Sequence, residues 1–542
     1  MTLDGLLTLF GLLAAVVAVM SPVARLRLRV GLLAQVLVGV PVMGFVLYLE
    51  FFDLLNQPCR LASERVCAAL TFYPASPLKP SAVAFLVVLI WILVAGLIHG
   101  LARPSPRDLS MLRRVVDELA QARRFGELTA FSAPYLPLLG RAADRGLALQ
   151  RLHDRIAGWR GMPGGWAAIL KGDKGTGSPA TAAVGALKRR LAWLARIVPA
   201  QIRAEDAAGD VVRVLYGDPD LQRFLVEMRP GFGLALLRVP IRARFEFSDA
   251  FLEGLISRPG SALYVELERN LNLSGLRRYA IPDTNPLLHT LFADIVLADQ
   301  LYVWRPVGNH LLRILRPGAD DTYRKRLNRT HDDYDKDRWR DPVHAGILFF
   351  DIMVKEAAFQ DHEYHMWLTY LEMVVEELAK AYDPEAEGVD AEAEFPTFGC
   401  RLIYDAFNAV GDWVALIENL PAGSRHRQVS AGLDLDDGRI PKMAAFSLAR
   451  SLRAVLASDD LPEKFRNYMT EVAVGDVKAL SKTGDGGRMR TALIRILIAG
   501  GDDSDPQHAV RLREAFLELD PVLRGYVEDL AAALDEVGPI WP

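Results

Sequence analysis

The residues best able to do chemistry are gathered in Asp361-His362-Glu363-Tyr364-His365. On a helix, Asp361 and His365 stand four apart on one face, and His362 and His365 stand three apart. Two imidazoles and a carboxylate would then converge. That set can hold a transition metal, and with Glu372 as a further carboxylate it could activate water in a metal-dependent hydrolase. Asp361, His362 and His365 are therefore candidate metal ligands, and the same three with Glu372 are candidate catalytic residues. The pattern departs from established ones. Carboxylate-bridged bundles use Glu-x-x-His, whereas the residue three after Glu363 is Met366, and the zinc-protease His-Glu-x-x-His fails by one position. Phe349, Phe350, Met353, Phe359, Met366, Trp367 and Tyr370 also give this run the character of a core helix. In such a helix a histidine often does no more than hydrogen-bond a neighbouring carboxylate.

Other constellations fall short on register. Asp333, Asp335 and Asp337 alternate like calcium ligands, yet Arg338 stands where the loop needs glycine and His344 where it needs a bidentate glutamate. Gly175-Thr176-Gly177-Ser178-Pro179-Ala180 is glycine-rich like a phosphate cradle. It has no lysine before Ser178 and no strand-like run ahead of it. No cofactor is called for by any motif. Arg324-Lys325-Arg326, Arg329 and the run Arg425-His426-Arg427 offer local positive charge. With 63 basic against 67 acidic residues and a net charge of -4, the chain as a whole has no field that recruits nucleic acid.

The elements that would position these residues divide sharply by composition. Three apolar segments, about 3–20, 30–52 and 82–102, precede a long remainder of ordinary globular composition within the 542 residues. About twenty residues at roughly 1.5 Å each cover the ~30 Å of hydrocarbon, and a helix satisfies its own backbone there. The sequence thus predicts a three-helix anchor over 1–103, in contact with membrane lipid. The start Met1-Thr2-Leu3-Asp4 lacks the positive region of a signal peptide. Arg25, Arg27 and Arg29 in the first loop, with Arg103, Arg107, Arg113 and Arg114 after the third segment, place those regions inside. The N-terminus is then external, the loop 53–81 external, and the large C-terminal region cytoplasmic, as in a bacterial inner membrane. Cys59 and Cys67 fall in that external loop and are candidates for a disulfide, whereas Cys400 falls on the reducing side. Gly96 and Gly100 put two glycines on one face of the third segment, where another helix can pack closely.

Beyond the anchor, juxtamembrane helices and a glycine-rich linker are expected over 104–180. A helical domain follows at 181–383, an acidic linker at 384–395 and a second helical domain at 396–542. The expected class is mainly α. Helical periodicity runs through segments such as Pro342 to Tyr382, and short strands are expected at most at Ala243 to Phe247 and Ala262 to Leu267. The expected function is that of a non-catalytic sensor or scaffold that binds a protein partner, or itself, at the inner membrane. The alternatives are the metal-dependent hydrolase above and an oligomerising membrane effector of a stress or antiviral response.

Overall fold

The computed structural model describes residues 15, 32–50, 80–101, 108–145, 155–156, 202–239, 244–270, 279, 281–331, 336–363, 367–387, 389–434, 438–501 and 505–536. The protein is mainly helical, and no strand occurs among these residues. It divides into two compact units, Met1–Leu221 with Val239–Ile241, and Gln222–Arg238 with Arg242–Pro542.

In the first unit, α1 (Leu32–Glu50) and α2 (Pro80–Leu101) pack antiparallel. Gly39 faces the Trp91 ring, which a Cβ would meet at 3.4 Å. Val46 and Ala84 are buried between the helices, with Met43, Val87 and Val88 around them. The remaining faces are apolar and uncovered: Leu37 is 67% exposed, Val40 65%, Leu93 66% and Leu97 63%. Also in this unit, α3 (Leu109–Gln121) presents Leu112, Val116 and Leu119 at helical spacing to α4 (Ile202–Gly217). Arg113 Nη1 lies 2.7 Å from Asp210 Oδ2 across that seam.

No helix among the described residues is long and apolar enough to cross a membrane. The side chains described are those of 35–48 on α1 and of 83–95 and 97 on α2. The expected anchor of three membrane helices therefore does not emerge from the described residues. Of its first segment only residue 15 is described, and Cys59 and Cys67 lie outside the described residues. Gly96 and Gly100 belong to the last turns of α2, and their surroundings lie outside the described residues as well.

The second unit is helix packed on helix. The two segments expected as short strands are helical: α5 (Arg244–Ile256) and α6 (Ala262–Asn270). Their burial recurs at three and four residues, through Phe247, Ser248, Phe251, Leu252 and Leu255 in one and Leu263, Tyr264, Glu266, Leu267 and Asn270 in the other. The short alternation that suggested strands is thus overridden by burial at the helical period.

The unit is centred on α8 (Pro342–Phe359), α9 (Leu368–Ala381), α10 (Phe398–Ala415) and α11 (Ile440–Ala457). Between α5 and α8, α7 (Trp304–Leu315) joins the packing, and Gly308 on it lets the Tyr370 ring of α9 sit where a Cβ would be. Beyond α11 come α12 (Glu463–Ala479), α13 (Gly484–Ala499), α14 (Pro506–Leu517) and α15 (Glu528–Glu536). Several starts share one device. Asp341 accepts from the backbone N–H groups of Val343 and His344 at 2.9 and 3.1 Å, with Pro342 opening the helix. Asp505 and Pro506 repeat it at α14. The acidic stretch between α9 and α10 is mostly exposed turns, and the helices on its two sides pack directly on one another within this unit.

Candidate functional site

The single helical run expected from Pro342 to Tyr382 ends instead at Phe359 and resumes at Leu368. The end is a Schellman turn: His362 N–H donates to the Ala357 carbonyl at 2.9 Å and Asp361 N–H to the Ala358 carbonyl at 3.2 Å. Asp361 takes the left-handed position usually given to glycine, at φ 58°. A second set of bonds holds it there. Its Oδ1 accepts from the Ser424 hydroxyl at 2.8 Å and the Arg425 N–H at 2.9 Å, and its Oδ2 from Arg425 Nε at 3.0 Å. Burial pushes this carboxyl up, but the Arg425 and Ser424 bonds outweigh it and leave it below the ordinary range.

The helical spacing assumed for the candidate residues therefore does not apply across this turn. His362 stacks on Trp367 with ring centroids 6.3 Å apart and turns Nε2 toward Asp299 Oδ2 at 3.6 Å. Glu372 lies on α9 and pairs with Arg450 of α11 at 3.2 Å. Asp361, His362 and Glu372 are thus each directed to a different neighbour, while His365 lies outside the described residues. Among the described residues no group of three or more histidine, cysteine, aspartate or glutamate side chains is placed to hold a metal ion. The basic run at 425–427 is also paired within the chain: Arg425 with Asp361 and Glu363, and Arg427 with Asp485 at 2.7 Å.

One of the three does line a site. Glu372 forms part of the wall of a cleft of about 720 Å³ between α9, the C-terminal end of α11 and the start of α14. On α9, Lys380 is held by Glu376 and Glu377 at 2.7 and 3.1 Å. From α11 come Arg450, Arg453 and Ser458, followed by the exposed Asp459 and Asp460, and Asp505 closes the far side. Arg453 makes no hydrogen bond or ion pair with a described residue. The arginine stems are admitted by the Gly500-Gly501 turn after α13, where both glycines have positive φ, 69° and 109°. A Cβ on Gly501 would lie 2.7 Å from Arg450 Cγ, and one on Gly500 would lie 3.2 Å from Arg453 Cδ. The cleft thus presents carboxylates, guanidiniums and an ammonium side by side. Such a set can recognise charged groups.

Deeper in the unit lies an ion cluster that the reading of the sequence missed. Lys355 of α8 is 1% exposed along its side chain, with Nζ 2.9 Å from Asp351 Oδ2 and 3.0 Å from Asp412 Oδ2 of α10. Tyr279 and Trp413 also donate to Asp351. Burial alone would lower the Lys355 ammonium, but the two carboxylates outweigh it and raise it above the ordinary lysine value. The signal in the sequence was an Asp and a Lys four apart inside the largely apolar run Ile347 to Phe359.

Two buried histidines make the unit sensitive to acid. Burial lowers His310 and His426 to about 4, from an ordinary 6.5. His426 Nδ1 accepts the Ile440 N–H at 3.2 Å, a bond that protonation would abolish. The unfolded chain takes up these protons near 6.5 and the folded chain only near 4, so stability falls as pH falls through that interval. The expected loss is on the order of 2–3 kcal/mol per histidine. Thermal midpoints of wild type and His426→Asn, compared at pH values across the interval, should converge as acid is added, and a constant difference would contradict this.

Comparison with known proteins yields no match: no protein-family model fits the chain, and no curated protein or solved structure is similar to it.

Proposed function

We propose that this chain is a membrane-anchored scaffold or sensor whose helical body binds a protein partner through the mixed-charge cleft between α9, α11 and α14. The observation that carries the reading is the surface of the α1–α2 pair. Large aliphatic side chains point outward on both helices, with Leu37, Val40, Leu93 and Leu97 each more than three-fifths exposed. A contiguous apolar surface of this kind is costly in water and costs nothing among lipid tails. The arginines at 25–29 and after Ala102 support an internal body, with the N-terminus and the loop 53–81 outside. The cleft supports binding, since it sets opposite charges side by side and its Arg453 guanidinium, which has no hydrogen bond or ion pair with a described residue, can meet a partner carboxylate.

The protein should stay with the membrane through an alkaline wash, and reporters fused after Ala102 and near Ala62 should read internal and external, respectively. Release into the wash, or two reporters reading the same side, would overturn the anchor. Solubilised under native expression, the full chain should retain a cytosolic protein, and Arg453→Glu should cut that retention about tenfold, the effect of roughly 1.4 kcal/mol. Recovery of the chain alone, or undiminished retention by the variant, would overturn the cleft as the docking site.

A further inference from the structure

The crossing of α10 and α12 contains a carboxyl group with no counter-charge among the described residues. Asp476 of α12 lies in the notch left by the missing side chain of Gly411 on α10, where a Cβ would come 2.7 Å from its Cγ. Its Oδ2 is enclosed and has no hydrogen-bond partner among the described residues. The charged group that faces it is another acid, Asp412. Of the cations on the helices packed around α12, Arg401 of α10 pairs with Asp405, Arg450 of α11 with Glu372, Arg490 of α13 with Asp529 and Arg511 of α14 with Asp459, while Arg453 of α11 lines the cleft beside α9. His508 of α14 is bonded to the Leu497 carbonyl at 2.8 Å. From α8, Lys355 reaches Asp412, which it shares with Asp351, and its two ion pairs are with those carboxylates.

We infer that Asp476 carries a proton in the folded protein at neutral pH, and that this proton seats α12 on α10, so that losing it loosens the crossing. An ionised carboxylate in this notch would be enclosed without a partner and beside a second negative group, the least favourable arrangement for a buried charge. A neutral carboxyl meets neither penalty and can donate. Burial first, and Asp412 second, push Asp476 well above the ordinary carboxylate range. The folded chain therefore holds a proton that the unfolded chain has already released. Stability then falls as pH rises from the ordinary carboxylate range through the raised value. Because α12 also carries Glu463 and Arg466 at the rim of a neighbouring hollow of about 440 Å³, a shift of its seat would reshape that surface. This inference is independent of the proposed function.

The test uses the full chain, solubilised, over pH about 5 to about 9. Infrared spectra at neutral pH should contain the carbonyl band of a protonated carboxyl, missing from Asp476→Asn. The thermal midpoint of Asp476→Asn should gain on wild type steadily as pH rises. An identical band in the variant, or a midpoint difference that does not change with pH, would overturn the inference. Should Asp476→Asn fail to fold, Asp412→Asn carries the test: with the neighbouring charge removed, the band should disappear at lower pH than in wild type. A band with unchanged pH dependence would overturn the pairing of these two acids.

Discussion

Replacing Lys355 with methionine is expected to cost about 3–5 kcal/mol of stability, the range for removing one partner from a buried ion pair. The side chain is 1% exposed and lies within 3.0 Å of both Asp351 and Asp412. Without the ammonium, two carboxylates would face each other across α8 and α10, and Asp351 would keep only its neutral donors, Tyr279 and Trp413. Methionine nearly preserves the volume, so the loss reports charge rather than a cavity. Adding Asp351→Asn should restore part of it, since the double variant leaves one fewer charge uncompensated. Denaturant midpoints of the single and double variants give the answer. If Lys355→Met is within about 1 kcal/mol of wild type, the cluster is hydrated and the burial argument fails.

The second large effect is expected at Arg490. This α13 residue is 4% exposed along its side chain, and it donates to both oxygens of Asp529 at 2.6 and 2.7 Å and to the Val477 carbonyl at 2.6 Å. Its Nη2 also lies 3.4 Å from the Tyr526 carbonyl. One guanidinium therefore ties α12, α13 and the start of α15 together. Arg490→Ala should cost about 2–4 kcal/mol, toward the lower end of a buried pair because Asp529 is 44% exposed and can rehydrate. The loss should be local. Hydrogen exchange over 521–536 should accelerate while α8 to α10 stay protected. Uniform acceleration across the unit would show instead that the clasp supports the whole body. Arg490→Lys should behave almost as badly, because an ammonium cannot reproduce the two parallel bonds to Asp529.

Helix was legible wherever burial followed its period. Apolar periodicity predicts helices over Pro219 to Met228, Phe398 to Ile417 and Lys442 to Leu456, and the structure has them at Pro219–Met228, Phe398–Ala415 and Ile440–Ala457. The strands expected at 243–247 and 262–267 failed because short runs such as Arg244-Phe245-Glu246-Phe247 alternate over too few residues to tell two periods apart. The break after Phe359 was not legible at all. Neither glycine nor proline marks it, and Asp361 accepts the left-handed conformation only because Ser424 and Arg425, more than sixty residues later, bond its carboxylate. With that turn unseen, the Asp361–His362–His365 face was drawn on a helix that has already ended. Glu372 was singled out for catalysis, and its place on the cleft wall came from α11, which the sequence does not connect to it. Lys355 was overlooked because a lysine amid apolar residues reads as a solvated face until its two carboxylates are seen.

The order of packing in the second unit has a kinetic meaning. α8 lies on α10, α9 on α10 and α11, α10 on α12, and α11 on α13, so neighbours in space are near neighbours along the chain. Loops closed over such short separations cost little entropy, and helical domains dominated by them fold quickly. Each helix leaving the ribosome finds its docking surface already formed by the two or three before it. The early core, around Lys355, can be complete while the C-terminal residues are still being added. Arg490 is satisfied late, since its partner Asp529 is translated thirty-nine residues after it, close to the end of the helical body. Until then its guanidinium lacks its carboxylate, and closing on Asp529 belongs to the last steps in the assembly of the body.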